Sequence, residues 1–283
     1  MKLHFQQVDV FSTEPFKGNP LAVVTGADSL TDAQMAAIAN WTNLSETSFL
    51  LKPSSPEADY RVRIFTPHSE LPFAGHPTLG SAHVWQTLSH TSEKGPEKDL
   101  IVQECAAGLV PIRKLAGGLA FAAPPRRRCG PASEEERNRA LQALRLNADD
   151  VLDIQWADNG PGWLVLHLTD REAVLAIQPD WAALVGQKLG VVGKWEKEPA
   201  ASGACFEVRA LVGENPGYED PVTGSLNASI AQWLIESGKA PERYTAFQGT
   251  ALGRAGRVSI EKQGDDIWVG GAVVTRIDGT IAL

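Results

Sequence analysis

The hexapeptide Asp220-Pro221-Val222-Thr223-Gly224-Ser225 decides how the chain is read, because His76-Pro77-Thr78-Leu79-Gly80-Ser81 repeats its form. Both are x-Pro-x-x-Gly-Ser, and they lie 144 residues apart (220 − 76), close to half of the 283-residue chain. In each, Pro follows a polar residue and a helical pattern follows Ser. Pro is favoured at the first helical position, so Asp220 and His76 are expected as helix caps. Two helix starts, each with unsatisfied N–H groups and a positive dipole end, suit one anionic ligand.

The echo extends upstream. Val62-Arg63-Ile64-Phe65 precedes the first copy, and Val208-Arg209-Ala210-Leu211 precedes the second, two residues closer. Each half reads as several strands, then a strand, a loop and a buried helix, then more strands. The expected fold class is α+β: two similar domains, each a curved, mostly antiparallel sheet wrapped around a central helix. Similar halves pack about a pseudo-twofold axis, with both helix N-termini at the cleft between them. The best boundary is the stretch Pro124-Pro125, residues 126–128 (three arginines) and Gly130-Pro131, giving domains 1–124 and 125–283. The last strand is free to pair back to the first half. The arginines read as a solvated linker in preference to a phosphate site.

Strands are expected at residues 5–11, 19–24, 45–51, 60–66, 100–105, 109–114, 119–122, 163–168, 205–212, 258–261 and 267–275. Thr31 caps a helix to about Trp41, and Ser133 with Glu136 forms a capping box for another. A helix over about 77–88 is small or apolar on nearly every side, which marks burial. Residues 181–187 read as a short helix. After Ser225, Leu226, Ile230, Trp233 and Leu234 form one stripe, which Gly238 closes.

A net charge of −8 and a pI near 5.3 argue against a nucleic-acid or anionic-membrane surface, although a local site can still be positive. Cys105, Cys129 and Cys205 are far apart and form no CxxC, which suits reduced thiols rather than a disulfide framework. No signal-peptide core precedes Asp9, and no run approaches the ~20 apolar residues of a membrane span. The expected setting is cytoplasmic.

Capping explains Asp220 well, but His is a mediocre cap, so His76 asks for another role. Their matched placement makes a functional pair the preferred reading. Glu46 reads either as an exposed strand-start glutamate or as a general acid/base. Beside Leu44, Phe49 and Leu50 a carboxylate is desolvated and its pKa raised. Ser81 and Ser225 lie in no GxSxG elbow, so Ser225 reads as a hydroxyl and N–H donor to a ligand oxygen. Glu70 is a solvated loop residue or an orienter of the His76 imidazole. His76, His83 and His90 recur every seven residues, about 10.5 Å apart along a helix axis, whereas helical metal pairs need i,i+4 spacing. With no GxGxxG, Walker A loop or zinc cysteine set, neither metal nor cofactor is expected.

Asn19-Pro20-Leu21-Ala22-Val23-Val24, Asn43-Leu44-Ser45-Glu46-Thr47-Ser48-Phe49, Leu71-Pro72-Phe73-Ala74-Gly75-His76-Pro77-Thr78 and Glu219-Asp220-Pro221-Val222-Thr223-Gly224-Ser225 resemble the signatures of the PhzF-like family, the phenazine-biosynthesis isomerases. Gly270-Gly271-Ala272-Val273 fits too, and the matches run in order over essentially the whole chain. The resemblance implies the diaminopimelate-epimerase-like fold, an active site in the cleft, a homodimer and no cofactor. It also implies that Glu46 shuttles a proton between carbons of a dihydro-hydroxyanthranilate, assisted by His76 and Asp220. Gly75, Gly224 and Ser225 would then hold the substrate by its polar groups, notably a carboxylate. Related racemases carry cysteines where this chain has His76 and Asp220, and none of the three cysteines lies in either hexapeptide. Against the isomerase stand an epimerase or lyase using the same acid/base group, or a non-catalytic carboxylate-binding protein.

Overall fold

The computed structural model describes residues 1–91, 99–196 and 205–283, without the side chains of His90 and Thr91. The chain divides into two units, Met1–Ala122 with Gly270–Leu283, and Ala123–Val269. No disulfide forms among the described residues, and no helix among them is long and apolar enough to cross a membrane.

The first unit contains β1 (Lys2–Val10), β2 (Asn19–Thr25), α1 (Asp32–Thr42), β3 (Thr47–Leu51), β4 (Tyr60–Phe65), β5 (Glu70–Leu71) and α2 (Gly75–Thr91). After these come β6 (Leu100–Cys105), β7 (Gly108–Leu115), β8 (Gly118–Ala122) and the C-terminal strand Val273–Ala282. β1 pairs antiparallel with both β2 and the C-terminal strand, and β2 runs parallel to β3. β4 is antiparallel to β3 and β5 but parallel to β6, which continues antiparallel through β7 to β8. The two parallel pairs are bridged by α1 and α2, as parallel neighbours require a crossover. Thr31 and Gln34 close a capping box at the start of α1, and Asn43 ends it in the left-handed region at φ 53°.

Helix α2 packs against β1, β2, β3, β4, β6, β8 and the C-terminal strand, which explains its lack of a polar face. Gly80 permits that approach, because a Cβ there would lie 2.5 Å from Leu21 Cδ2.

The second unit contains β9 (Arg128–Pro131), α3 (Glu134–Leu144), β10 (Val151–Asp158), β11 (Trp163–Leu168), α4 (Arg171–Ala176), α5 (Trp181–Leu184) and β12 (Lys188–Lys194). It continues through β13 (Cys205–Val212), β14 (Tyr218–Asp220), α6 (Gly224–Glu236), β15 (Arg243–Gln248) and β16 (Gly256–Gln263) to β17 (Asp266–Gly271). Its pairing order repeats the first unit's. β11 is parallel to β12, β13 is antiparallel to β12 and β14 but parallel to β15, and β15 is antiparallel to β16. Before these, β10 is antiparallel to β9 and β11. The fold is thus α+β, two similar units, each a mostly antiparallel sheet packed on one buried central helix.

Several local expectations are corrected. Helix α2 starts at Gly75, ahead of Pro77, so His76 lies inside its first turn and caps nothing. Asp220 ends β14, while α6 starts four residues later behind Thr223. Glu46 precedes β3 instead of lying within it. The span 267–275 breaks at Ala272 into two strands, and the 181–187 helix stops at Leu184. Arg127 and Arg128 are exposed, as a solvated linker requires, but the stretch is anchored at two of its three arginines. Arg126 binds Glu236, Arg128 lies in β9, and its guanidinium meets Glu136 at 2.9 Å and the Trp156 ring at 3.5 Å.

Candidate active site

Residue-by-residue correspondence of the two units moves the repeat by five positions. Glu70-Leu71-Pro72-Phe73-Ala74-Gly75-His76 matches Glu219-Asp220-Pro221-Val222-Thr223-Gly224-Ser225 at a separation of 149 (219 − 70). Arg63 grips Glu70 with Nε and Nη2, each at 2.7 Å. Arg209 grips Glu219 in the same bidentate manner at 3.1 and 2.8 Å. Glu70 therefore serves Arg63, not the imidazole of His76. Gly75 and Gly224 each begin a central helix, followed by His76 and Ser225. Gly80 and Ser81, the end of the apparent first hexapeptide, are buried inside α2, where Gly80 is a packing residue.

The first unit brings Glu46 and His76 together. Glu46 follows the left-handed turn that ends α1, and a 3.0 Å hydrogen bond between the Thr42 and Thr47 hydroxyls ties the two sides of this connection. Its carboxylate Oε2 lies 3.3 Å from His76 Nε2, with the two side chains 16% and 5% exposed. Burial pushes the His76 imidazole down to about 3, so it is neutral near pH 7.

On the other side of the ring, Asn19 Nδ2 lies 3.4 Å from His76 Nδ1. Asn19 is fully buried at the start of β2, and its position follows from a tight turn. Asp9 accepts the Gly18 N–H at 2.9 Å and the Lys17 N–H at 3.2 Å. A Cβ on Gly18 would lie 2.2 Å from the Val10 carbonyl oxygen, so only glycine fits. Nothing in the sequence pattern singled out Asn19 as a partner of His76. Its place directly behind this obligatory glycine was the available signal.

The second unit gathers Asp220, Thr223, Ser225 and Gln248. Asp220 lies opposite Ala210 in the β13–β14 pair, and its Oδ2 accepts the Thr223 hydroxyl at 2.6 Å. Ser225 Oγ accepts the Trp163 indole N–H at 3.1 Å, and its carbonyl accepts Asn159 Nδ2 at 2.9 Å. An indole N–H only donates, so this bond does not use the proton of the Ser225 hydroxyl. Thr223, Gln248, Asn159 and Trp163 were not foreseen as neighbours of this cluster, since sequence spacing does not reveal side-chain hydrogen bonds.

Among the described residues no three His, Cys, Asp or Glu side chains gather as a metal ion would need. His83 instead meets Thr275 Oγ1 at 3.0 Å, and the His90 side chain lies outside the described residues.

Known proteins share the whole of this frame. The chain is 34% identical to antisense-enhancing sequence 1 of Schizosaccharomyces pombe over 97% of each chain. It is also 34% identical to an uncharacterized isomerase of Pasteurella multocida, over 95% of this chain and 91% of that one. A PhzF-family crystal structure from Enterococcus faecalis superposes with a TM-score of 0.80 at 26% identity, covering all of both chains. The family model for phenazine biosynthesis-like proteins matches residues 8–279. By fold, by relatives named as isomerases and by this match, the chain is an isomerase-type enzyme and belongs to the PhzC-PhzF family.

Proposed function

We propose that this enzyme is a cofactor-independent isomerase that moves a proton between carbons of a small, cyclic, carboxylate-bearing metabolite, with Glu46 as the proton carrier. The observation that carries this reading is the 3.3 Å approach of Glu46 Oε2 to the neutral His76 ring. The Asn19 amide nitrogen can only donate, so His76 Nδ1 accepts and the ring proton resides on Nε2, facing Glu46. The neutral ring places no positive charge beside the Glu46 carboxylate.

Glu46 then takes a proton from a substrate carbon. The C–H bond breaks, a carboxyl O–H forms, and the electron pair stays in the substrate's conjugated system. The same carboxyl returns the proton to another carbon, so no cofactor or redox partner enters the balance. The start of α2 offers the N–H groups of Gly75 and His76, Pro77 having none, and its dipole favours a substrate carboxylate. In the same reading Asp220 is a second acid/base group, Gly224 and Ser225 are donors to substrate oxygens, and the working form is a homodimer.

Incubation in deuterated water with a dihydro-hydroxyanthranilate and a panel of small cyclic carboxylates, followed by proton NMR, tests the assignment. Migration of a double bond with deuterium at the new carbon supports it. Inversion alone or loss of a leaving group would replace it with an epimerase or a lyase. A ligand bound unchanged over long incubation would replace it with a binding protein.

A further inference from the structure

Gln248 ends β15 and is fully buried, with both arms of its amide engaged. Oε1 accepts the Thr223 N–H at 3.0 Å and Asn227 Nδ2 at 2.7 Å. Nε2 donates to the Asp220 carbonyl at 3.0 Å and to Thr223 Oγ1 at 2.9 Å. A flipped amide would set two donors against the NH2 and a carbonyl against the oxygen, so only one orientation satisfies the group. Asn227 is oriented by the same logic, since its Nδ2 also donates to the Thr223 carbonyl at 2.9 Å.

The chain of donors has a direction. Thr223 Oγ1 receives the Gln248 N–H, so its single proton is left for Asp220 Oδ2, at the 2.6 Å typical of a charge-assisted O–H···O bond. We infer that Gln248 and Thr223 are positioning residues that commit one hydroxyl proton to Asp220 and hold its carboxylate ionised in a single orientation. Their bearing on catalysis rests on the acid/base role proposed above for Asp220. The first unit supplies an internal control. There Gln103 donates to Thr78 Oγ1 at 3.0 Å and accepts the Tyr60 hydroxyl at 2.9 Å, but Thr78 passes its proton to the Ala74 carbonyl at 2.9 Å. That relay ends on a group that does not titrate.

The test is a carboxyl 13C NMR titration of aspartate-labelled protein, with the Asp220 signal assigned by its loss in Asp220→Asn. In Thr223→Val and Gln248→Met the Asp220 midpoint is expected to rise, by about one pH unit for the former and less for the latter. Thr223→Ser and Gln103→Met should leave it where it is. If Gln248→Met does not fold, the Thr223→Val and Thr223→Ser pair still decides. An unmoved midpoint in Thr223→Val overturns the inference whatever the activity. A raised midpoint, with the acid limb of solvent-deuterium exchange unmoved, sustains the positioning role while removing Asp220 from the reaction.

Discussion

The two units share a frame but not a chemistry. Both place an Arg–Glu pair, a proline and a helix-opening glycine at corresponding points, and each hydrogen-bonds a buried glutamine to its central helix. On that frame the first unit sets a neutral imidazole against a carboxylate, while the second sets a hydroxyl against one. The repeated parts are backbone and buried polar supports, which fix where a side chain starts. The parts that differ are the side chains that start there: His76 against Ser225, and Leu71 against Asp220. The backbone frame was duplicated, and the side chains mounted on it differ.

The sharpest contrast in stability should come from the two Arg–Glu pairs. In Arg209–Glu219 the side chains are 6% and 5% exposed, and Arg209 also donates to the Val174 and Ile177 carbonyls. Arg209→Met strands a buried carboxylate, so denaturant titration should show a loss of about 3–5 kcal/mol. In Arg63–Glu70 the corresponding exposures are 24% and 37%. Arg63→Met should cost no more than about 1 kcal/mol. Equal losses would break the view that the first unit's copy is the more solvated one.

Overpacking should follow at an intermediate level. Gly80 in α2 and Gly190 in β12 each lie where a Cβ would come within about 2.5 Å of a leucine, Leu21 and Leu226 respectively. Ala at either site is expected to cost about 1–3 kcal/mol, whereas Gly279→Ala, with nothing within 4 Å, should be close to neutral in the same titration. Comparable costs at Gly80 and Gly190 would indicate that both central helices are seated with the same closeness.

The last effect concerns pH, read at His76 in the first unit. His76 binds a proton near pH 3 in the fold, against about 6.5 for an unperturbed histidine. The unfolded chain therefore binds more protons between these values. The contribution of His76 is complete above about pH 6.5 and is lost as pH falls towards 3, by up to about 1.4 kcal/mol per unit. His76→Gln should flatten stability against pH in this window. His83 and His167, also held down by burial, leave a residual slope of the same sign. No change of slope would mean that the imidazole is solvated.

The duplication was legible in the sequence, but its register was not. The Gly-Ser of residues 80–81 mimics that of 224–225, although Gly80 serves helix–strand packing and Ser81 is buried in α2. Glu70 and Glu219, with Arg63 and Arg209 before them, marked the true correspondence. A solvated glutamate and an ion-paired one look alike in a sequence. Strand β12 escaped notice because Gly190 and Gly193 weaken its pattern. Both are glycines through close approach, since a Cβ on Gly193 would lie 2.2 Å from the Asp170 carbonyl oxygen. Glu46, His76, Asp220, Gly75, Gly224 and Ser225 stood out through motif and family resemblance. Asn19, Thr223 and Gln248 did not, because their roles lie in hydrogen bonds between distant segments.

The most direct test of the account is the rate of solvent-deuterium exchange into a dihydro-hydroxyanthranilate, measured by NMR for the wild type and for Glu46→Gln. The amide keeps the shape of the side chain but cannot accept the proton. The account predicts exchange by the wild type and a loss of about 10²–10⁴-fold in the variant, with the fold retained. Exchange at an undiminished rate in folded Glu46→Gln would contradict it and remove Glu46 as the proton carrier.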